Sequence, residues 1–159
     1  MTAETLSAAR AAANLPVFKA SGAGIVCAAY GTINIAATAL EDGDIFEICR
    51  LPAGATVIGG WVQAQDLDTG IETVDFMIGW AANADEVADP NGLLLAGVKT
   101  GDISVHLDVA STWMPLAGVL LTAGPKTFTA ETLIQVEVNA AKATGAAGQL
   151  TVVVLYVSP

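Results

Sequence analysis

The chain has 159 residues, of which 6 are basic and 16 acidic, so its formal net charge is −10. A chain of this length forms one domain that buries about 70% of the surface of its unfolded form, so it can fold without disulfides. The acidic balance and the scattered basic residues argue against nucleic acid and against an anionic membrane surface as partners, since both are bound by clustered lysine and arginine.

The small number of charged residues is the more informative feature. They make up 14% of the chain, against about 25% in a typical soluble domain. Residues 20–40, 51–65, 109–125 and 143–159 contain none. Large exposed apolar patches mark interaction sites, and monomeric domains keep a charge-dotted surface. We therefore expect other polypeptides to cover part of this surface.

Residues 20–40 are long enough to span a membrane, but their polar residues and glycines, and the acidic residues 41–44 that follow, argue against it. The N-terminal residues lack the basic start and apolar core of a signal peptide. We therefore expect a protein that is made and kept in a cytoplasm. There, Cys27 and Cys49 are expected to be reduced, buried apolar residues, and their spacing fits no metal site.

The predicted elements begin with an alanine-rich N-terminal arm at residues 1–16, and a β-sandwich domain follows at residues 17–159. The arm is either a frayed tail or a segment lying across a neighbouring subunit. Apolar runs between turn signals then predict strands in chain order. They lie at residues 25–30 and 32–37 (or one strand bent at Gly31), 45–51, 56–64 and 73–80.

Residues 81–92 are predicted to form a polar loop, and strands are predicted at residues 93–98, 103–109 and 114–122. The strands at residues 133–140 and 150–157 are predicted to form a hairpin through a glycine-containing turn at residues 145–148. Residues 150–157 are apolar on both faces, as is typical of a central strand. Nine or ten strands and no strong helix predict an all-β fold, a two-sheet β-sandwich of jelly-roll type with a short N-terminal arm.

The sequence contains no recognisable catalytic motif. The single histidine, His106, lies on the polar side of a predicted strand without a nucleophile motif, and we interpret it as a surface or interface side chain. Neither a G-x-S-x-G turn nor a phosphate-binding loop is present. We therefore predict no enzyme activity, no catalytic, cofactor-binding or metal-binding residues, and no cofactor.

Two acidic loops leave one question of binding open. Carboxylates at residues 66–75 and 85–89 are spaced so that they could supply some of the oxygen ligands of calcium. The same residues also form turns and promote solubility. The sequence does not decide between these interpretations.

Two segments resemble a known family. Residues 40–55, LEDGDIFEICRLPAGA, are followed by the loop Asp66-Leu67-Asp68, and residues 147–156 read AGQLTVVVLY. This combination resembles a recurring pattern in small virion proteins of tailed bacteriophages, and the likeness covers residues 26–156. The resemblance implies a capsid decoration or cement protein, many of which are trimeric β-sandwiches or jelly rolls on the head lattice.

The resulting hypothesis is a non-catalytic virion protein, assembled in the host cytoplasm, that stabilises the head by binding between capsid subunits. Its expected partners are the major capsid protein and copies of itself, with a trimer expected, and neither nucleic acid nor a membrane. The arm at residues 2–15 and the uncharged strands near residues 20–40 are the expected contact segments.

Two alternatives remain at this stage. One is a phage fibre or tail structural component, which an elongated stalk would favour. The other is a carbohydrate- or calcium-binding β-sandwich module, which would be favoured by clustered tryptophans over a groove or by a metal held by Asp66, Asp68 or Asp75.

Overall fold

A computed structural model of the chain describes residues 5–7, 25–69, 73–94 and 113–158, the first of these ranges for its backbone alone. One short helix, α1 (Val119–Thr122), lies among the strands. The strands are β1 (Thr5–Ser7), β2 (Val26–Ile35), β3 (Ile45–Leu51), β4 (Thr56–Ala64), β5 (Asp75–Trp80), β6 (Asp89–Leu94), β7 (Trp113–Pro115), β8 (Lys126–Thr127), β9 (Thr132–Ala140) and β10 (Gly148–Val157).

The strands form two sheets. Sheet A has the order β1-β3-β9-β5-β6, and sheet B has the order β2-β10-β4-β7, with β8 beside β4. Leaving out the short strands β1 and β8, the chain passes from one sheet to the other after each strand. The one exception is β5 and β6, which pair with each other in sheet A. Two four-stranded antiparallel sheets connected in this way form a jelly roll. The predicted all-β sandwich of jelly-roll type is therefore confirmed.

The core lies between the sheets and follows the period-two alternation of the strands. In β9, Ile134, Val136 and Val138 are fully buried, and in β10 the same holds for Val152 and Val154. Burying each such side chain contributes about 1.5–3 kcal/mol. The alternation thus commits one face of every long strand to the core and leaves the other face to form the outside of the sandwich.

Several predicted strands occupy their expected places. β3 and β4 have the predicted bounds, and residues 26–35 form the single long strand β2, which continues through Gly31. β10 is a central strand between β2 and β4, as its two apolar faces predict.

The predicted hairpin between the last two strands is wrong. β9 pairs with β3 and β5 in sheet A, whereas β10 pairs with β2 and β4 in sheet B. Both strands are therefore central, and each takes its neighbours from distant parts of the chain. Residues 141–147, which contain Gly145, cross from one sheet to the other. Turn-forming residues are compatible with such a crossing as well as with a hairpin, so they did not distinguish the two.

Two further boundaries differ from the prediction. The predicted polar loop at residues 81–92 ends early, because β6 begins at Asp89 and continues through Pro90 to Leu94. The strand predicted at residues 114–122 stops at Pro115, and α1 follows. Gly118 has φ 51, outside the extended region, and the Ala117 N–H donates to the Leu93 carbonyl. The chain therefore turns here instead of extending β7.

Some predictions fall on parts of the chain outside the described residues. These are the strand at residues 103–109 with His106, most of the strand at residues 93–98, and the boundary between arm and sandwich at residue 16. Within the predicted arm, Thr5–Ser7 forms β1, which runs parallel to β3 with Thr5 opposite Ile45.

The uncharged segment and the two cysteines are placed by the fold. Among the described residues, no helix has the length and apolar character needed to cross a membrane, and residues 26–35 of the uncharged segment form β2. Cys27 and Cys49 are buried thiols outside any disulfide, as predicted. Both lie near the phenol of Tyr156, and burial, together with these two sulfur neighbours, raises the pKa of Tyr156.

Candidate assembly surface

The outer face of sheet B is a broad surface without charge. Its side chains alternate with the core residues along four strands, and we call it the neutral face because none of its described residues is charged. It comprises Val26, Ala28, Tyr30, Thr32 and Asn34 of β2; Gln149, Thr151, Val153, Leu155 and Val157 of β10; Thr56, Ile58, Gly59, Trp61 and Gln63 of β4; and Trp113 and Pro115 of β7.

The strand register gathers the apolar members of this face at its centre. Val153 of β10 has Tyr30 on one side and Trp61 on the other, and Leu155 lies between Ala28 and Gly59. Several apolar side chains remain open to solvent: Val26 is 55% exposed, Tyr30 44% and Trp113 61%. Exposed apolar side chains that are contiguous, rather than scattered singly, indicate an interaction surface.

Two of the three tryptophans, which are dispersed in the sequence, come together on the neutral face. β4 and β7 pair with Trp61 opposite Pro115, which places the ring centroids of Trp61 and Trp113 6.4 Å apart with an interplanar angle of 66°. This edge-to-face pair lies on an open sheet surface and does not form a flat platform over a groove. Trp80, in contrast, is buried against Phe128 at 5.1 Å.

Hydroxyl and amide groups occupy one end of the neutral face. The Thr32 and Thr151 hydroxyls are 2.9 Å apart, and the Gln149 side-chain amide donates to the side-chain oxygen (Oδ1) of Asn34 at 3.0 Å. A shallow depression of about 160 Å³ lies beside them, lined by Gln63, Ala64, Gln65, Gln149 and Thr151. This end therefore offers hydrogen-bond donors and acceptors without charge.

The outer face of sheet A has the opposite character. It carries Glu47 and Arg50 of β3, Glu137 of β9 and Asp75 of β5. Arg50 forms an ion pair at 3.2 Å with Glu131, at the end of the same sheet. The two outer faces of the sandwich thus differ sharply in charge.

The edge of sheet B extends the neutral face. β2 is ten residues long, contains neither charge nor proline, and among the described residues has β10 as its strand partner on one side. Proteins usually protect such edges with charges, proline or bulges, because an open edge can pair with another chain. On sheet A, by comparison, the edge of β3 is covered by β1.

Asp68, the last residue of the Asp66-Leu67-Asp68 loop, proves to be a structural residue. Its side chain is fully buried, and its carboxylate accepts four backbone N–H groups at 2.6–3.1 Å, which belong to Thr73, Val74, Ala143 and Thr144. The Thr73 hydroxyl donates to it as well. The carboxylate thereby joins the loop after β4 to the crossing between β9 and β10.

This arrangement also determines the charge state of Asp68. Burial alone would raise the pKa of Asp68, but the four backbone N–H donors outweigh it and hold the pKa at about 2, below the ordinary value of 3.8. Because the side chain is fully buried, and Oδ2 accepts three of these N–H groups and Oδ1 the fourth, the geometry does not favour Asp68 as a calcium ligand.

We expect this lowered pKa to make folding stability sensitive to acid. With one pKa unit worth about 1.4 kcal/mol, Asp68 contributes about 2 kcal/mol. That contribution is fully present above pH 3.8, the ordinary pKa, and is lost as the pH falls through the folded-state pKa of about 2. Urea unfolding of wild type and Asp68→Asn near pH 5 and near pH 2 measures this. The difference in unfolding free energy between wild type and Asp68→Asn should be smaller at pH 2 than at pH 5 by most of that amount. An equal difference at both pH values would contradict the lowered pKa of Asp68.

The second acidic loop is also held by contacts within the chain. Glu86 pairs with Lys126 at 2.6 Å, and Asp85 accepts the Thr129 hydroxyl at 2.7 Å. The Lys126 ammonium lies 5.1 Å from the centre of the Trp80 ring. Within the part of the chain that the structure describes, no group of three or more His, Cys, Asp or Glu side chains could hold a metal ion.

Two glycines of the segment behind the phage resemblance lie in the turns on either side of β3. Gly43 has φ 85 and precedes Asp44, whose buried carboxylate accepts the Glu41 N–H at 2.9 Å. Gly54 has φ 82 in the turn that the Ala55 N–H closes on the Pro52 carbonyl. A left-handed φ favours glycine at both positions. The motif therefore specifies the connections of a jelly roll.

No protein-family model matches the chain, and no curated protein matches it. Similarity is found to chains in solved structures of phage capsids. A chain of the cyanophage Pam1 capsid asymmetric unit is 25% identical with a TM-score of 0.67, and the match covers 92% of this chain and 94% of that one. A chain of the capsid of Ralstonia phage GP4 is 23% identical with a TM-score of 0.72, and the match covers 98% of both.

A third chain, from the acid-stable capsid of Helicobacter pylori bacteriophage KHP30, is 19% identical with a TM-score of 0.57; the match covers 89% of this chain and 94% of that one. These matches span nearly the whole chain, and they confirm the resemblance to phage virion structural proteins.

Proposed function

We propose that the protein is a non-catalytic decoration or cement protein of a phage capsid. In this proposal it acts in the virion as a homo-oligomer, with three copies as the expected number, after assembly in the host cytoplasm. It binds between subunits of the major capsid protein and stabilises the head. Residues 1–16 act as an arm, and residues 17–159 form the sandwich that sits on the shell.

The observation that carries this proposal is the whole-length match to chains of phage capsids, including one at 25% identity. Such a match supports a structural role in a capsid. The neutral face adds physical support, because a component that acts by surface complementarity needs wide contact faces with little charge. The turns and strand cores of the motif supply the scaffold for that face.

The carbohydrate- or calcium-binding alternative receives less support. Asp68 is buried and its carboxylate accepts four backbone N–H groups, and the paired tryptophans meet edge to face on an open sheet. The fibre or tail alternative also receives less support, because the matched chains come from capsid structures.

The proposal predicts that the purified protein binds to heads of its own phage assembled without it. Binding should saturate at a fixed number of copies per major capsid subunit, because lattice sites are equivalent, and should raise the temperature at which heads release their DNA. Cryo-electron microscopy of the decorated heads would locate the chain on the shell. Isolated tails of the same phage are the control. Binding to tails but not to heads would overturn the proposal.

A further inference from the structure

We infer that the neutral face is the contact surface between copies of this chain, with a second copy as its occupant. This inference rests on the proposed homo-oligomer, and it assigns the subunit contact to one of the two outer faces. The charged outer face of sheet A and the loops then remain for contacts with the shell.

Charge is the first argument for a second copy as the occupant. Each chain carries a net charge of −10, so two copies repel each other, and the repulsion is weakest when they meet through surfaces free of like charge. The neutral face meets that condition among the described residues, whereas Glu47, Glu137 and Asp75 lie on the outer face of sheet A. Self-association therefore costs least in electrostatic energy through sheet B.

The chemistry of the neutral face is also complementary to itself. Its apolar centre can bury against the same apolar centre of a neighbour. Its polar end consists of hydroxyl and amide groups, such as those of Thr151, Gln63 and Gln149, and each of these groups is chemically able both to donate and to accept hydrogen bonds. Around a twofold axis identical patches meet, and in a ring of three the two patches in contact differ, so a face whose groups are apolar or can both donate and accept suits either side of a contact between copies.

The size of the face is sufficient for a stable contact. Strands β2, β10 and β4, about 4.8 Å apart and nine or ten residues long at about 3.3 Å per residue, cover roughly 15 Å by 30 Å, and the three-residue β7 adds about 50 Å². This is about 500 Å² per copy, or about 1,000 Å² for two copies, at the lower limit for a specific interface. Side-chain relief and the adjoining edge of β2 add to that area.

Gly59 offers a way to test the face without disturbing the fold. It lies opposite Leu155 at the centre of the face, and a Cβ added there would meet no heavy atom within 4 Å. An arginine at this position would place a charge in the middle of the proposed contact. Ala28, exposed on the other side of Leu155, provides a second, independent position.

The experiment compares wild type, Gly59→Arg and Ala28→Arg by light scattering and analytical ultracentrifugation at micromolar concentration, with thermal unfolding to check the fold. Asn139→Arg, at an exposed position on the outer face of sheet A, is the matched control. We expect wild type and Asn139→Arg to be oligomers. The two neutral-face variants should sediment as folded monomers of about 16 kDa, with at least a hundred-fold weaker association.

Binding to phage heads is measured separately, so that the two proposals can fail independently. A wild-type chain that is a monomer in solution would overturn the inference, even if it binds heads. Neutral-face variants that stay oligomeric but no longer bind heads would also overturn it, because the face would then contact the shell. If wild type fails to bind heads while the two neutral-face variants still become monomers, only the proposed function would be overturned.

Discussion

Replacing Asp68 with alanine is expected to lower the free energy of unfolding by about 4 kcal/mol, a large part of the stability of a domain of this size. The variant leaves four backbone N–H groups without their shared acceptor, the fully buried Asp68 carboxylate. The Thr73 hydroxyl keeps the Ala141 carbonyl as its acceptor. Each buried donor without a partner costs about 1–3 kcal/mol, and water that enters the space left by the carboxylate recovers part of this.

Equilibrium unfolding in urea at neutral pH measures this effect. Asp66→Ala is the matched control, because Asp66 lies two residues away in the same loop and is exposed; its effect should stay within about 0.5 kcal/mol. A loss below about 1 kcal/mol for Asp68→Ala would mean that the loop and the β9–β10 crossing are held by other contacts. The expected loss identifies the aspartate of the phage-like motif as a fold determinant.

The second large effect is expected for Gly60→Ala, which should destabilise the protein by about 3 kcal/mol. Gly60 has φ +147, and an added Cβ would run into the carbonyl oxygen of Val153 and the Leu116 side chain. An unfavourable φ costs about 1–2 kcal/mol, and overpacking against a neighbour that cannot move adds about 1–3 kcal/mol. The obstacle here is the backbone of the central strand β10, so the pairing of β4 with β10 must shift.

Gly59→Ala is the control for this variant, one residue away on the same strand. A Cβ at Gly59 has open space around it, so the free energy of unfolding should change by less than about 0.5 kcal/mol. Thermal and urea unfolding of both variants provide the comparison. Equal effects at the two glycines would show that close approach of β4 to β10 is not what requires glycine at residue 60.

Both variants concern how the sandwich supports its neutral face. Gly60 lets β4 lie close to β10, and the pairing of these strands sets Trp61 beside Val153 and Gly59 beside Leu155. Asp68 joins the loop after β4 to the crossing that precedes β10. Substitution of either Gly60 or Asp68 is therefore expected to disturb the outer surface of sheet B as well as the core.

Much of the fold was predictable from the sequence because the patterns that favour strands and turns lie within short stretches of the chain. Apolar runs between turn signals predicted β3 and β4 with their bounds at residues 45–51 and 56–64, and turn glycines such as Gly43 and Gly54 marked where strands end. The small number of charged residues predicted a surface that other polypeptides cover. Composition alone supports that inference, because a solvent-exposed surface needs charged or polar side chains whatever their positions in the sequence.

Only the tertiary structure decided which strands are neighbours. The neutral face draws on β2, β4, β7 and β10, whose pairing depends on how buried faces fit across the sandwich and not on any local pattern. For the same reason the sequence placed β9 and β10 in one hairpin, left Trp61 and Trp113 apart, and left Asp68 as a possible calcium ligand. The partners of these residues lie far along the chain, and they become neighbours only when the two sheets close on each other.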